Sequence, residues 1–369
     1  MTAATTPAHP DVAIRLASYF PVLVVPLLLP MGVLMTQSGL PGWVGAWFPL
    51  FFLFVLLPTL DYLIGVDARN PPDEHTAEQL ESRWSFRVLT WLCLPMYVAL
   101  LIWSTAQWVQ LDSIGARLGW LLSQGVIGGV LAINVAHELI HKREAFEQAI
   151  GGALLACVGY CGFKVEHLRG HHVHVSTPED ASSARYGQSL YHFLPRALWR
   201  NQRNAGRLEA ERLRRLGLPL IHWRNELIGW YGLWALMAVG FALWLGLPGL
   251  LFFLAQGLLA GVTLEIINYI EHYGLEREPL GNGRYERVTH HHSWNSGYWL
   301  TNRLLFQLQR HSDHHANARR RYQALRHHDD SPQLPGGYAA MLLLALVPPI
   351  WRRVIHPRIR QYEARRGNE

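Results

Sequence analysis

Charge is what this 369-residue chain lacks most. Asp, Glu, Lys and Arg make up 16% of it, against roughly 25% in soluble domains. Apolar residues reach 50%, and 15 tryptophans are present. That composition excludes both an ordinary soluble enzyme and a disordered chain. Cysteine is scarce too. Cys93, Cys157 and Cys161 supply neither a disulfide framework nor a CxxC metal knuckle. The opening stretch MTAATTPAHPDVAIRL has no basic start and no A-x-A pattern, so it reads as a mature cytosolic end and not a signal peptide. There is no internal repeat, and the first ten and last ten residues read as frayed ends.

The missing charge is concentrated in particular segments. Residues 16–60 contain no Asp, Glu, Lys or Arg, which is enough chain for two membrane crossings, broken at Gln37–Gly42. Residues 88–111 and 118–136 form a third and a fourth. Residues 227–264 form a fifth and a sixth, broken at Gly246-Leu247-Pro248-Gly249. The expected fold is an all-α polytopic membrane protein with six transmembrane helices and a histidine-rich region on one side. Four segments follow: 1–136 with four spans, 137–226 as a histidine-rich stretch, 227–271 with two spans, and 272–369 as a C-terminal stretch. Of 33 Lys and Arg, only Arg117 falls in an outer loop. The positive-inside rule therefore puts both termini and the histidines on the cytosolic side of the membrane. The net charge of +6 is first a topology signal, and nothing resembles a nucleic-acid module. Residues 201–216 read as an exposed or surface-lying basic helix. Residues 148–163 read as re-entrant or interfacial, and 338–350 are too short to span.

Histidine is abundant, with 20 residues. His137-Glu138-Leu139-Ile140-His141 follows the fourth span, and i,i+4 spacing puts both imidazoles on one helix face. His167-Leu168-Arg169-Gly170-His171-His172 repeats that spacing. His311-Ser312-Asp313-His314-His315 repeats it again, and His272 ends the sixth span. Nine imidazoles on one face are too many for one ion and suit two. Imidazole binds Fe, Zn, Cu and Ni alike, so composition does not choose among them. Glu138, Glu166, Glu271 and Asp313 flank the clusters and are expected to hold ring nitrogens or relay protons rather than to ligate. His174 and His290-His291-His292 are either such outer partners or solvated loop residues. H-E-x-x-H alone would also fit a zinc protease with Glu138 as base, which leaves the other clusters without a use. A metal transporter would need ionisable ligands deep within the spans, and these spans are almost free of charge.

With HELIHK (137–142), EHLRGHH (166–172), LQRHSDHH (308–315) and NYIEHYGL (268–275) on the page, the sequence resembles the membrane-bound alkane 1-monooxygenases. These lie within the integral-membrane di-iron hydroxylases and desaturases, and the likeness covers about residues 15–350. It implies two Fe ions held by His137, His141, His167, His171, His172, His272, His311, His314 and His315. Glu138 and Glu271 would act as outer partners. The implied reaction is terminal hydroxylation of medium-chain linear alkanes by O2 in the membrane lipid, with electrons from rubredoxin. Rubredoxin needs four cysteines, so it would be a separate chain or a removed fusion, docking at Arg200–Arg215 or Arg310–Arg321. A fatty-acyl desaturase or hydroxylase of the same superfamily is the alternative.

Overall fold

The structure, a computed structural model, describes residues 12–366. Among these described residues, five helical runs are long and apolar enough to cross a membrane. The first two are α1 (Val12–Gln37) and α2 (Gly42–Ile64), which meet at the expected Gly/Pro break. A short polar helix follows, α3 (Glu74–Ser82), whose first turn is capped by Asp73 accepting from the Thr76 amide. Then come α4 (Trp84–Val109) and α5 (Ile114–Ile140). The fifth long run, α9, is Glu226–His272.

The count of five long apolar helices departs from the expected six at α9. This 47-residue run is interrupted at Gly246 (φ 66°, ψ −158°), a backbone state open mainly to glycine. The rings of Phe241 and Phe253 stack 4.9 Å apart. The same two residues on a straight helix would stand about 18 Å apart. The run therefore doubles back as a helical hairpin.

Between the long helices lie α6 (Ala145–Cys157), α7 (residues 163–174) and α8 (Leu190–Arg215). At 13 residues, α6 is about 20 Å long, short of the roughly 30 Å of hydrocarbon a span must cross. It packs against the end of α5 and against α9, with Gly151 beneath Ile140 and Gly152 beneath Trp230. α8 buries Phe193, Ala197, Asn201, Ala205, Glu209 and Leu213, a stripe at helical spacing that leaves its arginines outside.

After α9 come a small antiparallel pair, β1 (Pro279–Gly281) and β2 (Arg284–Tyr285), then α10 (Trp299–Leu304) and α11 (His311–Ala316). The apolar segment 338–350 is not one helix. It divides at Leu346–Val347 into α12 (Tyr338–Ala345) and α13 (Pro348–Arg366), with proline at the first turn of the latter. α13 stays helical to Arg366 because Trp351, Ile355 and Ile359 are fully buried. The expectation of a frayed end fails that far, and the one for the first ten residues lies outside the described residues.

α5 is the most enclosed of the long helices. The others turn Leu34, Val55, Leu236, Leu243 and Leu258 outward, a surface suited to lipid and costly in water. Two polar pairs inside the bundle bridge neighbouring helices, which satisfies them away from water. The Tyr97 hydroxyl donates to Gln256, and the Trp120 indole donates to Ser104. α5 runs through position 136 and α9 through position 271, so the expected segment boundaries at 136/137 and 271/272 fall within helices.

Candidate metal centre

The ends of α5 and α9 meet α7 and α11 at one end of the bundle, and each brings histidines. The nine fall into two groups. His137, His141, His167, His172 and His314 form the first, and His171, His272, His311 and His315 the second. Within each group, one donor atom per residue lies within 4.8 Å of all the others.

The division is not the one that i,i+4 spacing predicts. His137 and His141 share a group, as do His311 and His315, but His167 and His171 do not. The cause is local backbone. Residues His167–His171 form a π-helical turn, with the His172 amide reaching back to the His167 carbonyl. The wider turn brings His172 beside His167, with Nε2 atoms 3.0 Å apart, and sends His171 to the other side. Such single π turns are common at functional sites.

The spacing of the nitrogens fits metal ions. In the first group the Nε2 pairs His141–His167, His167–His172 and His172–His314 are 3.0, 3.0 and 3.2 Å apart. In the second group His171–His315, His311–His272 and His315–His311 are 3.3, 3.2 and 2.9 Å apart. Two nitrogens at right angles on one ion, each at about 2.1 Å, stand about 3.0 Å apart. His137 Nε2 is buried without a hydrogen-bond partner, a state that a metal bond would relieve. Burial first, then the neighbouring rings, push His141, His167, His172, His311, His314 and His315 well below the ordinary histidine range. They are neutral, the form that ligates.

The carboxylates sort differently from expectation. Glu138 pairs with Lys142 at 2.9 Å and accepts from the Tyr322 amide, so its contacts are not with a ring nitrogen. Asp313 serves Arg320, His328 and the Arg326 amide. Glu271 Oε2 lies 3.2 Å from His311 Nε2, the nitrogen that faces the other rings of its group. It borders the ion position instead of backing a ring. Glu166 lies over Gly170, where a Cβ would meet its Oε1 at 2.7 Å. Burial, then Asp180, raises it to about 8.

The residue that does back a ring is one the sequence reading missed. Asp180, fully buried, is 3.0 Å from His171 Nδ1 and accepts from Ser183 Oγ at 2.6 Å and the Ser182 amide at 3.1 Å. Burial opposes its ionisation, but His171 and Ser183 outweigh that and hold it near about 2. Burial likewise lowers His171, yet Asp180 leaves that ring above the ordinary histidine range. A carboxylate on Nδ1 fixes the tautomer and strengthens Nε2 as a donor. The available signal was Asp180-Ala181-Ser182-Ser183, an acidic residue with two serines close behind it in the loop just after the second cluster.

An apolar cavity ends on the two groups. His137, His167, His311 and Glu271 close it, and Leu53, Leu57, Val126, Val130, Leu264, Ile267 and Leu305 are among its walls. Along α5, from Val126 to His137, it is about 16 Å long. Among the other histidines, His292 contacts Glu286 and the Thr289 amide, and His290 contacts Asp330. His174 lines a separate pocket with Glu166, Asp180 and Arg207. None of these belongs to either group of the nine histidines. The basic stretch Arg310–Arg321 is largely structural. Arg310 is buried against the carbonyls of Asp67, Arg69 and Leu325, and Arg321 against Glu147.

Residues 114–345 match the fatty acid desaturase family. The chain is 56% identical to alkane 1-monooxygenase 2 of Pseudomonas aeruginosa over 321 residues, covering 86% of this chain and 85% of that protein. It is 52% identical to alkane 1-monooxygenase 1 of the same organism over 354 residues, covering 95% and 93%. It is 48% identical to alkane 1-monooxygenase 2 of Alcanivorax borkumensis over 364 residues, covering 96% and 94%.

Proposed function

The chain belongs to the integral-membrane alkane-monooxygenase and fatty-acid-desaturase family, and on that premise we propose that it hydroxylates the terminal carbon of medium-chain linear alkanes with O2. The observation that carries this reading is the apolar cavity ending on His137, His167 and His311. A linear alkane has nothing to hydrogen-bond, so shape alone must hold it. A blind channel of about 16 Å accepts roughly a dozen extended carbons and brings one chain end to the rings.

Two irons are the proposed occupants, one in the five-histidine group and one in the four. When bound, they supply the redox chemistry that activates O2 toward an unreactive C–H bond. The side chains do the rest. Leu57, Val130, Leu264 and Leu305 keep the site dry and fix the chain end. Asp180 holds the proton of His171 at Nδ1, so that Nε2 points inward. Glu271 Oε2, beside His311 Nε2, is placed to hold or pass a proton at the closed end. Glu138 supports this end indirectly, by pairing with Lys142.

The doubling back of α9 at Gly246 supports two crossings by that run, hence six in all, with both termini and the metal centre on the cytosolic side. The proposed electron donor is rubredoxin. Arg203, Arg207, Arg214 and Arg215 on α8 are exposed, and Arg207 borders the pocket that reaches Glu166 and Asp180. This face suits an acidic partner better than Arg310–Arg321 does. The test is turnover of octane against an acyl thioester by the reconstituted enzyme. 1-Octanol as product supports the proposal. An alkene from the thioester, with octane untouched, establishes the desaturase alternative.

A further inference from the structure

Outside the nine-histidine centre, two loops bring a second kind of donor set together. We propose that His290, His328 and Asp330 form a separate surface site for a divalent transition-metal ion. One donor atom from each lies within 4.8 Å of the other two. His290 Nε2 and Asp330 Oδ2 are 2.9 Å apart, the spacing of neighbouring donors on one ion. The rings of His290 and His328 are stacked, with centroids 4.4 Å apart and planes 7° apart, so one ring must turn about its Cβ–Cγ bond for both in-plane lone pairs to meet on one ion.

The His328 ring is held from behind. His328 Nε2 is 3.1 Å from Asp313 Oδ1, and the Asp313 side chain is wholly buried. That contact occupies one ring nitrogen and leaves Nδ1 to ligate, the carboxylate–histidine–metal arrangement that orients ligands. Both loops are built before any ion arrives. Thr289 caps the turn His290–His292, and the Ser331 amide and hydroxyl both close on the His328 carbonyl. Two imidazoles and one carboxylate suit Zn2+, Fe2+ or Ni2+ and leave a coordination position for water. His290 and His328 are each 26% exposed and Asp330 57%, so the site opens to solvent. An ion there would clamp the loop after β2 to the segment after α11.

The test uses the full chain in detergent with its iron in place and no polyhistidine tag, titrated with Zn2+ alone. Bound zinc and iron are counted after desalting, and Co2+ absorption serves as a spectroscopic check. One zinc equivalent per chain is expected in addition to the iron. H290A and D330N are each expected to weaken its binding at least tenfold with the iron content unchanged. Absence of the extra equivalent, or a shift below tenfold in either variant, overturns the proposal.

Discussion

Asp180 is the side chain whose loss should separate the two metal positions. Its carboxylate takes three donors: His171 Nδ1, Ser183 Oγ and the Ser182 amide. A hydrogen bond to a charged group is worth about 1.5–3 kcal/mol, and one between neutral groups about 0.5–1.5. D180N keeps one acceptor oxygen and loses the charge, so His171 should weaken as a ligand by about 1–1.5 kcal/mol, or roughly 5–10-fold in affinity. D180A leaves the ring and both donors without a partner. The loss then rises to about 2–3 kcal/mol, within the roughly 10–100-fold range typical of outer partners. His171 belongs to the four-histidine group alone, so one ion should weaken and the other should not. Competition with a chromophoric Fe2+ chelator near neutral pH reads this as biphasic release, with half the iron leaving early. Retention of both ions within twofold of the parent in D180A would refute the reasoning. Equal weakening of both ions would refute the five-and-four division.

Three further outcomes are expected. Val126 lies at the far end of the cavity from His137. V126F should exclude about three methylenes there, costing about 2.4 kcal/mol or roughly 50-fold in kcat/KM for the longest alkanes accepted, with shorter ones unchanged; a uniform loss across chain lengths would contradict the channel. Glu209 is bonded by Arg212 at 2.6 Å and Arg169 at 2.7 Å, and although burial opposes ionisation these partners hold it near about 2. A lowered carboxylate stabilises fully above its ordinary value and loses that stabilisation as pH falls through the lowered one. The thermal-midpoint gap between parent and E209Q should thus be largest at neutral pH and close between about pH 4.5 and 2; a gap that widens on acidification contradicts the pairing. Stripping metal should lower the midpoint, because nine crowded rings, eight of them buried, then face one another with no ion between them, and Fe2+ should restore it. An unchanged midpoint would argue against any bound ion.

The membrane helices were legible because hydrocarbon penalises charge more strictly than any packing rule. Runs without Asp, Glu, Lys or Arg mark α1, α2, α4, α5 and α9. The gathering of the nine histidines was legible from spacing and from their place at helix ends. Their division was not, since a π turn at His167–His171 has no mark in residue type and moves one ring to the opposite side. Asp180 escaped notice because it lies in a loop, and loop residues carry no periodicity to say where they fold. Glu138 and Arg310 have partners that the sequence does not disclose, for a common reason. Position in a motif or in a basic run does not reveal that Lys142 already neutralises the one, or that backbone carbonyls bury the other.

The most direct measurement is metal content per chain in the purified protein and in two variants. Parent protein should hold two irons, with H137A losing the ion of the five-histidine group and H272A that of the four-histidine group. One zinc with no iron, or full iron content in both variants, would contradict the assignment of the nine histidines to a two-iron centre.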